Sequence, residues 1–372
     1  MKIPLSQPDI AKVDIDAVNA VLHTSQLALG PNLDEFENEM ARYIGVSQAV
    51  AVNSGTSALH LLIRSLSIGR GDEVITTPFS FIASANCIFF ESAKPIFVDI
   101  DHDTLCIDPE LVKRAISPKS KAILGVDVFG HPADWPALED IAGERDLVLI
   151  EDSAEALGSE LGGRKCGSFG AAGIFGFYPN KQITTGEGGM IVTSDRRVAE
   201  LSRSMANQGR GEGDGWLEHV RLGYNYRLDE MSAALGRAQL SRIEGIIEAR
   251  QKVAEWYQQA LAECGDVITQ SVAEGVRMSW FVYVIRLSEG FTRDDRDRIL
   301  ERLREKGIGC RNYFAAIHLQ PFYREKLGTC EGDFPVTDSV SARTIALPFY
   351  NRLTKQEVHT VAAALKDAIK QG

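Results

Sequence analysis

The sequence predicts an α/β protein with a mostly parallel seven-stranded sheet between helices, followed by a smaller C-terminal α+β region. Residues 45–200 alternate short apolar runs with helical segments, which is typical of a parallel sheet covered by helices on both faces. Some runs, such as 147–150, are apolar throughout, as expected for strands buried on both faces. A long helical stretch from 229 to about 263 precedes a mixture of strand-like and helix-like segments.

The elements follow in order along the chain. The predicted strands of the sheet are 49–52, 74–77, 95–98, 121–126, 147–150, 171–177 and 189–193, and the predicted helices around them are 9–24, 33–44, 56–67 and 134–145. The C-terminal part should contain a strand at 280–287, a helix at 293–306, a strand at 309–314 and a last helix that Thr354 and Glu357 cap. We therefore expect a large domain at 1–240, which includes an N-terminal arm, and a small domain at 241–372.

Length, charge and cysteine pattern argue against several classes of protein. The 372 residues suffice for two domains, and hydrophobic residues (44%) and charged residues (24%) occur at ordinary globular levels. The net charge of −11 argues against a nucleic-acid or membrane-surface partner, and no apolar run approaches the ~20 residues that span a membrane. The six cysteines form no CxxC pair, which predicts reduced thiols, a cytoplasmic location and no metal site.

One lysine, Lys181, lies between an apolar run and a glycine-rich turn. The run at 171–177 is apolar enough for a buried strand, and a turn that contains Gly186 and Gly188 leads into the next strand. A lysine held on a short loop between buried strands can have a lowered pKa and act as an amine nucleophile, for example by forming a Schiff base. A solvated loop lysine is the alternative, and three upstream segments argue against it.

Asp152 follows the apolar run 147–150, so it is expected at the carboxyl end of a buried strand, where ligands bind in open α/β sheets. A carboxylate at that position can keep a pyridine nitrogen protonated. Together with a lysine that forms a Schiff base, it indicates pyridoxal 5'-phosphate (PLP) as the cofactor. Taken alone, Asp152 is as readily interpreted as a helix N-cap.

Two further segments suit the same cofactor. After a predicted strand, Gly55, Thr56 and Ser57 open a helix, and the N–H groups and hydroxyls at such an N-terminus can hold a phosphate. Another strand ends in aromatic residues that include Phe81, whose ring could stack on a flat cofactor. Each signal is weak by itself, because the first is also a common capping sequence and the second is also typical of core packing.

Taken together, these residues resemble the DegT/DnrJ/EryC1/StrS family of PLP-dependent sugar-nucleotide aminotransferases, which share the fold-type I architecture of aspartate aminotransferase. The resemblance extends over nearly the whole chain. Its most specific motif is the Lys-x-x-Thr-Thr-Gly-Glu-Gly-Gly string that begins at Lys181. The segments at 130–132, 152–155 and 178–181 are most similar to the GDP-perosamine synthase branch.

The resemblance implies roles for the residues around the cofactor ring. Lys181 would hold PLP covalently and later act as acid and base, and Asp152 would pair with the ring nitrogen. Phe81 would stack on the ring. Glu155 would lie near the 3-hydroxyl, where many members have glutamine but the perosamine branch also has glutamate.

The resemblance also implies how the phosphate is held. Gly55, Thr56 and Ser57 would bind it from the start of a helix. Asn225 would reach the phosphate in the neighbouring subunit, which implies a homodimer with shared active sites. Gly176 stands where many members have a serine that contacts the phosphate, so one hydrogen bond is absent here or is supplied by another group.

The implied reaction moves an amino group from L-glutamate to a nucleotide-linked keto-sugar, most simply a 4-keto-6-deoxy sugar, and releases 2-oxoglutarate. It would serve the synthesis of amino sugars or surface polysaccharide. The glycine-rich stretch 208–215 is interpreted either as a solvated loop or as a flap near the sugar nucleotide. The candidate substrate contacts, each with a packing or surface role as its alternative, are His131, Glu187, Arg311, Tyr313 and His318.

Other functions stay open at this point. The enzyme could act on a 3-keto sugar or on a cyclitol. A PLP-binding regulatory protein without turnover, or a scaffold without PLP, would also carry this sequence pattern. The presence of Lys181 and Asp152, and the absence of a basic DNA-binding segment, argue against the regulatory protein.

Overall fold

The computed structural model of the chain describes residues 2–211 and 218–371. In these ranges the α-helices are α1 (Lys12–Leu22), α2 (Pro31–Ile44), α3 (Gly55–Ser65), α4 (Ala83–Phe90), α5 (Pro109–Ala115), α6 (Trp135–Arg145), α7 (Arg196–Ala206), α8 (Glu230–Leu240), α9 (Ile243–Leu261), α10 (Arg293–Glu305), α11 (Pro321–Leu327), α12 (Pro335–Arg343) and α13 (Lys355–Lys370). The strands are β1 (Gln48–Val52), β2 (Glu73–Thr76), β3 (Lys94–Phe97), β4 (Ser120–Val126), β5 (Val148–Asp152), β6 (Glu160–Leu161), β7 (Arg164–Lys165), β8 (Ala172–Gly176), β9 (Gly189–Thr193), β10 (Val267–Thr269), β11 (Val276–Arg277), β12 (Tyr283–Leu287) and β13 (Thr344–Leu347).

The central sheet has seven strands in the order β1-β9-β8-β5-β4-β2-β3. Its middle strands pair in parallel, from β3 through β2, β4 and β5 to β8. Strand β9 is antiparallel to both of its neighbours, β8 and β1. The mostly parallel seven-stranded sheet is therefore confirmed, and each predicted strand of it occurs within a few residues of its expected position.

Helices cover both faces of this sheet. Neighbouring strand residues belong to different hydrophobic clusters, as the two-residue period of a strand requires: Val50 and Ile174 lie in one cluster, and Ala49 and Phe175 lie in the other. Helices α3, α4 and α6 contribute to the first cluster, while α2, α8 and α9 contribute to the second. The continuous apolar runs of the strands follow from burial on both faces.

The long helix predicted from 229 to about 263 is wrong in one respect, because the structure divides it into α8 and α9. The hydroxyl of Ser241 bonds back to the carbonyl of Ala238 at 2.7 Å. Arg242, whose ψ of 6° is not helical, bonds to the buried Asp14 at 2.8 Å. The apolar stripe continues through both helices, so periodicity alone did not show the break. The domain division at 240/241 coincides with this break and stays a prediction.

The C-terminal part is built on the three-stranded sheet β10-β12-β13. The capping box of Thr354 and Glu357 is confirmed at the start of α13. The predicted strand at 309–314 is wrong, since the segment makes only a single bridge between Arg311 and Ala346. The first residue of the segment bonds instead to the N-terminal segment, since Gly309 N donates to the carbonyl of Ile3 at 2.8 Å.

Two further sequence-based expectations concern the glycine-rich stretch and membrane-spanning helices. Residues 212–215 of the glycine-rich stretch 208–215 lie outside the described residues, so the choice between loop and flap stays open. Within 2–211 and 218–371, no helix has both the length and the apolar character needed to span a membrane.

Candidate active site

Lys181 lies on the loop that joins the antiparallel strands β8 and β9, as predicted. Its side chain is only 14% exposed, with Nζ 3.7 Å from Oε1 of Glu155 and 3.9 Å from the centroid of the Phe281 ring. Burial lowers the pKa of the Lys181 amine, although the charges of Glu155 and Asp152 act in the opposite direction. The alternative of a solvated loop lysine is therefore wrong.

Asp152 is the last residue of β5, at the carboxyl end of a parallel strand. The hydroxyl of Ser84 donates to its Oδ2 at 2.6 Å, and the N–H of Ala154 donates to its Oδ1 at 3.2 Å. No helix follows, because the next element is the short strand β6, so the N-cap interpretation is wrong. Burial raises the pKa of Asp152, while the nearby charge of Lys181 lowers it.

Glu155 is the third charged residue of the site. Lys181, Asp152 and Glu155 are called the Lys181 group below. Its Oε2 accepts a hydrogen bond from the N–H of Phe129 at 2.8 Å, which leaves Oε1 facing Lys181. Burial raises the pKa of Glu155 and the charge of Lys181 lowers it. Two buried carboxyl groups thus converge on one buried amine at the edge of the sheet where the parallel strands β5 and β8 end.

The start of α3 has the expected form of a phosphate-binding N-terminus. Among the described residues, no acceptor meets the N–H groups of Gly55 and Thr56. A Cβ at Gly55 would lie 3.4 Å from the Cα of Gly176, so the helix begins against the end of β8. Ser57 also serves the cap, because its N–H bonds to Ser54 Oγ and its hydroxyl donates to Asn53 Oδ1 at 2.7 Å.

Phe81 lies between β2 and α4, three residues before Ser84. Its side chain is 60% exposed, so core packing does not explain it. Phe79, by contrast, is fully buried and packs edge-on against Phe129 and Phe314. The two phenylalanines of the motif therefore divide between the core and the surface beside Asp152.

One of the five candidate substrate contacts joins the Lys181 group. Burial and the charge of Glu155 raise the pKa of the Tyr313 hydroxyl, and the side chain of Asn180, the neighbour of Lys181 in the chain, acts on it in the opposite direction. Glu187 and Arg311 have exposed side chains. The main chain of Arg311 pairs with that of Ala346.

The two histidines proposed as substrate contacts are both buried. The His131 ring bonds to the carbonyl of Pro132 at 2.7 Å and accepts from the N–H of Ala273 at 3.4 Å. His318 places Nε2 3.1 Å from Oδ1 of Asp338. Burial lowers the pKa of both rings. These surroundings favour the packing alternative for both residues.

Sequence reasoning missed several side chains that complete the group. The hydroxyl of Ser84 holds Asp152 in place. The sequence indicated this residue only by its position three residues after Phe81. Gln182 donates to the carbonyl of Glu155 at 2.6 Å and to the hydroxyl of Ser279 at 2.8 Å. Phe281, whose ring contacts Lys181 Nζ, is one hundred positions away in the chain, so no local sequence pattern could indicate the contact.

The residues present fit PLP. A buried amine, a buried carboxylate fixed by two donors, and two N–H groups at a helix N-terminus that no described acceptor meets match what the cofactor requires at its aldehyde, its ring nitrogen and its phosphate. Two buried oxygens beside Lys181, Oδ1 of Asn180 and Oε1 of Gln182, have no hydrogen-bond partner among the described residues. Such atoms are expected where a polar ligand completes a site.

Several known proteins are similar to this chain over nearly its whole length. GDP-perosamine synthase of Caulobacter vibrioides is 36% identical over 99% of this chain and 98% of that protein. The spore coat polysaccharide biosynthesis protein SpsC of Bacillus subtilis is 35% identical over 99% of this chain and 97% of its own length. Among solved structures, PseC of Helicobacter pylori, an aminotransferase involved in the biosynthesis of pseudoaminic acid, superposes with a TM-score of 0.96 at 28% identity over the full length of both chains.

Residues 8–366 match the DegT/DnrJ/EryC1/StrS aminotransferase family, which is nearly the whole chain. The structural neighbours are PLP-dependent aminotransferases of fold type I, as expected from the sheet and from the site. This chain therefore belongs to the DegT/DnrJ/EryC1/StrS family of sugar aminotransferases and is a PLP-dependent aminotransferase.

Proposed function

We propose that this enzyme moves an amino group from L-glutamate to a nucleotide-linked 4-keto-6-deoxy sugar, in the synthesis of an amino sugar for surface polysaccharide. The observation that carries the proposal is the convergence of Lys181, Asp152 and Glu155 at one edge of the sheet. The similarity to GDP-perosamine synthase and SpsC over almost the whole chain supports a polysaccharide precursor as the product.

Each residue of the group has a defined task in this proposal. PLP, when bound, supplies an electron sink that lets a proton leave the carbon that carries the amino group. Lys181 holds the cofactor through Nζ and moves that proton as acid and base, and its burial favours the neutral amine that this task needs. Asp152 holds the ring nitrogen in its charged form, and the hydroxyl of Ser84 keeps the carboxylate in place.

The proposed substrate contacts follow from the positions of the candidates. The Tyr313 hydroxyl lies within the electrostatic influence of Glu155 and Asn180, beside Lys181, so it is proposed to contact the sugar. Glu187 and Arg311 are exposed, and a guanidinium suits the oxygens of a diphosphate. His131 and His318 are not retained as substrate contacts, because buried groups of the protein surround both rings.

We also propose a homodimer with shared active sites. The main chain of Asn225 is held by a bridge to Asn207, while its side chain is exposed at the surface. The preceding residues Val220 and Leu222 expose large apolar side chains, and Leu222 is 66% exposed. Exposed apolar surface next to a polar ligand-binding side chain supports a contact with a second copy of the chain.

Asn225→Ala is expected to weaken PLP retention about tenfold, since it removes one hydrogen bond to a charged phosphate. The measurement is the dissociation constant of PLP, obtained from cofactor absorbance after dialysis. Asn19→Ala, at an exposed position of α1, is the matched control and should leave the constant unchanged. Unchanged affinity in Asn225→Ala would remove this residue from the phosphate site.

The proposed location is the cytoplasm. All six cysteines are free thiols in the structure, and four of them are buried. Free cysteines are typical of proteins in a reducing compartment, where disulfides do not persist.

The visible spectrum of the purified protein tests the proposed reaction. We expect a yellow band from bound PLP that bleaches when L-glutamate is added, because the cofactor then carries the amino group. Nucleotide-linked 4-keto-6-deoxy sugars should restore the band, and 3-keto sugars and cyclitols serve as the comparison substrates. If no band forms even after incubation with PLP, the proposed reaction is wrong and a scaffold without PLP becomes the better interpretation.

A further inference from the structure

Arg250, on α9, is a buried arginine that has no carboxylate within ion-pair distance among the described residues. It is 3% exposed, and its guanidinium donates to main-chain carbonyls instead. Burial lowers the pKa of Arg250 to about 10, which leaves the group charged at neutral pH. A buried charge is costly unless nearby polar groups stabilise it, so Arg250 is expected to depend on the carbonyls to which it donates.

The three carbonyls belong to two segments that meet at the active site. Nη2 of Arg250 donates to the carbonyl of Lys181 at 3.0 Å. Nη1 donates to the carbonyls of Trp280 and Phe281, at 3.0 and 3.2 Å. One guanidinium therefore joins the main chain of the site lysine to the main chain of the residue whose ring lies against its Nζ.

The main chain turns sharply at Trp280, just before β12, and this turn (the Trp280 corner) requires stabilising contacts. The φ of Trp280, 55°, lies in the left-handed region, which is unfavourable for a bulky side chain. Gln251, the next residue of α9, accepts a hydrogen bond from Nε1 of Trp280 at 2.7 Å. Two consecutive residues of one helix thus hold this corner, and the ring of Phe281 is directed at Lys181 as a result.

We propose that Arg250 is a positioning residue for Lys181, which fixes the main chain of the lysine and the ring of Phe281 as one unit. The inference rests on the proposed role of Lys181. With both segments fixed, Nζ keeps one direction and the Phe281 ring keeps water away from one side of it. A planar guanidinium suits this task because its donors diverge at fixed angles toward separate carbonyls.

The test compares Arg250→Met and Arg250→Lys with the wild-type holoenzyme, and uses Arg343→Met as the matched control. Arg343 is also buried, and it donates to the carbonyl of Leu287 at 2.9 Å, away from Lys181. The readouts are thermal unfolding, kcat and KM for the amino donor, and the pH midpoint of the visible band of bound PLP.

Both methionine variants should lose thermal stability. Only Arg250→Met should also lose kcat, by about 10- to 100-fold, with a smaller change in KM, because a misplaced catalytic group slows the chemical step. Its pH midpoint should rise, since water that reaches Nζ stabilises the protonated form. Arg250→Lys keeps the positive charge but loses the diverging donors of the guanidinium. Its kcat and pH midpoint should therefore fall between those of the wild type and Arg250→Met.

A wild-type kcat and pH midpoint in a destabilised Arg250→Met protein would show a structural role alone and would overturn the proposal. If Arg250→Met does not fold, wild-type values in Arg250→Lys overturn it in the same way. A Lys181→Ala protein with an unchanged band would instead contradict the role of Lys181 itself.

Discussion

Lys181→Ala should abolish transamination, with a fall in turnover of at least about 1,000-fold, while PLP still binds without a covalent bond. The reason is geometric. Nζ of Lys181 is the amine that lies between Glu155 and Phe281, so alanine removes both the covalent attachment and the acid–base group. Single-turnover absorbance with L-glutamate measures the loss, and borohydride reduction followed by peptide mapping shows whether the cofactor is attached.

Lys165→Ala is the matched control for this variant. Lys165 is another partly buried lysine, which pairs with Glu160 at 2.6 Å outside the Lys181 group. The control should keep the turnover and the covalent attachment of PLP. Near-wild-type turnover in Lys181→Ala would contradict the proposed mechanism.

Asp152→Asn should reduce turnover by at least about 100-fold without loss of the fold. The asparagine side chain has nearly the same shape and can still accept from Ser84 or Ala154, but it has no negative charge to hold the ring nitrogen in its charged form. Steady-state kinetics with L-glutamate measure the effect, and cofactor absorbance shows that PLP is still bound.

The matched control for this second variant is Asp99→Asn. Asp99 is a similarly buried aspartate that accepts from the N–H groups of Val336 and Thr337, both at 2.8 Å, at the start of α12. Its replacement should lower stability and leave turnover per folded molecule unchanged. Equal activity losses in the two variants would assign Asp152 to the fold rather than to the reaction.

The features that the sequence predicted correctly are those set by local pattern. Strands buried on both faces have uninterrupted apolar runs, so the strands of the central sheet were found within a few residues. Asp152 was placed because the end of such a run marks the carboxyl end of a strand, and Lys181 because it lies between two recognisable strands. The family resemblance depended on the same contiguous motifs.

The wrong predictions lie where contacts across the chain override local pattern. Ser241 and Arg242 interrupt a helix whose apolar stripe continues, because Arg242 binds Asp14 of α1. The segment 309–314 has the pattern of a strand, but the N-terminal segment pairs with its beginning. The substrate roles of His131 and His318 were not tested, and the burial of both rings by distant segments was likewise not visible in the local pattern.

From the sequence we predicted the sheet, the cofactor and the positions of Lys181 and Asp152, to which we assign its chemistry, since each depends on neighbours within a few positions. The surroundings of the Lys181 amine, by contrast, depend on contacts between segments that are far apart in the chain. Glu155, Phe281 and Arg250 approach it from a turn after β5, from the corner before β12 and from α9. Their contacts depend on how distant segments pack, and packing of that kind leaves no periodic signal in the chain.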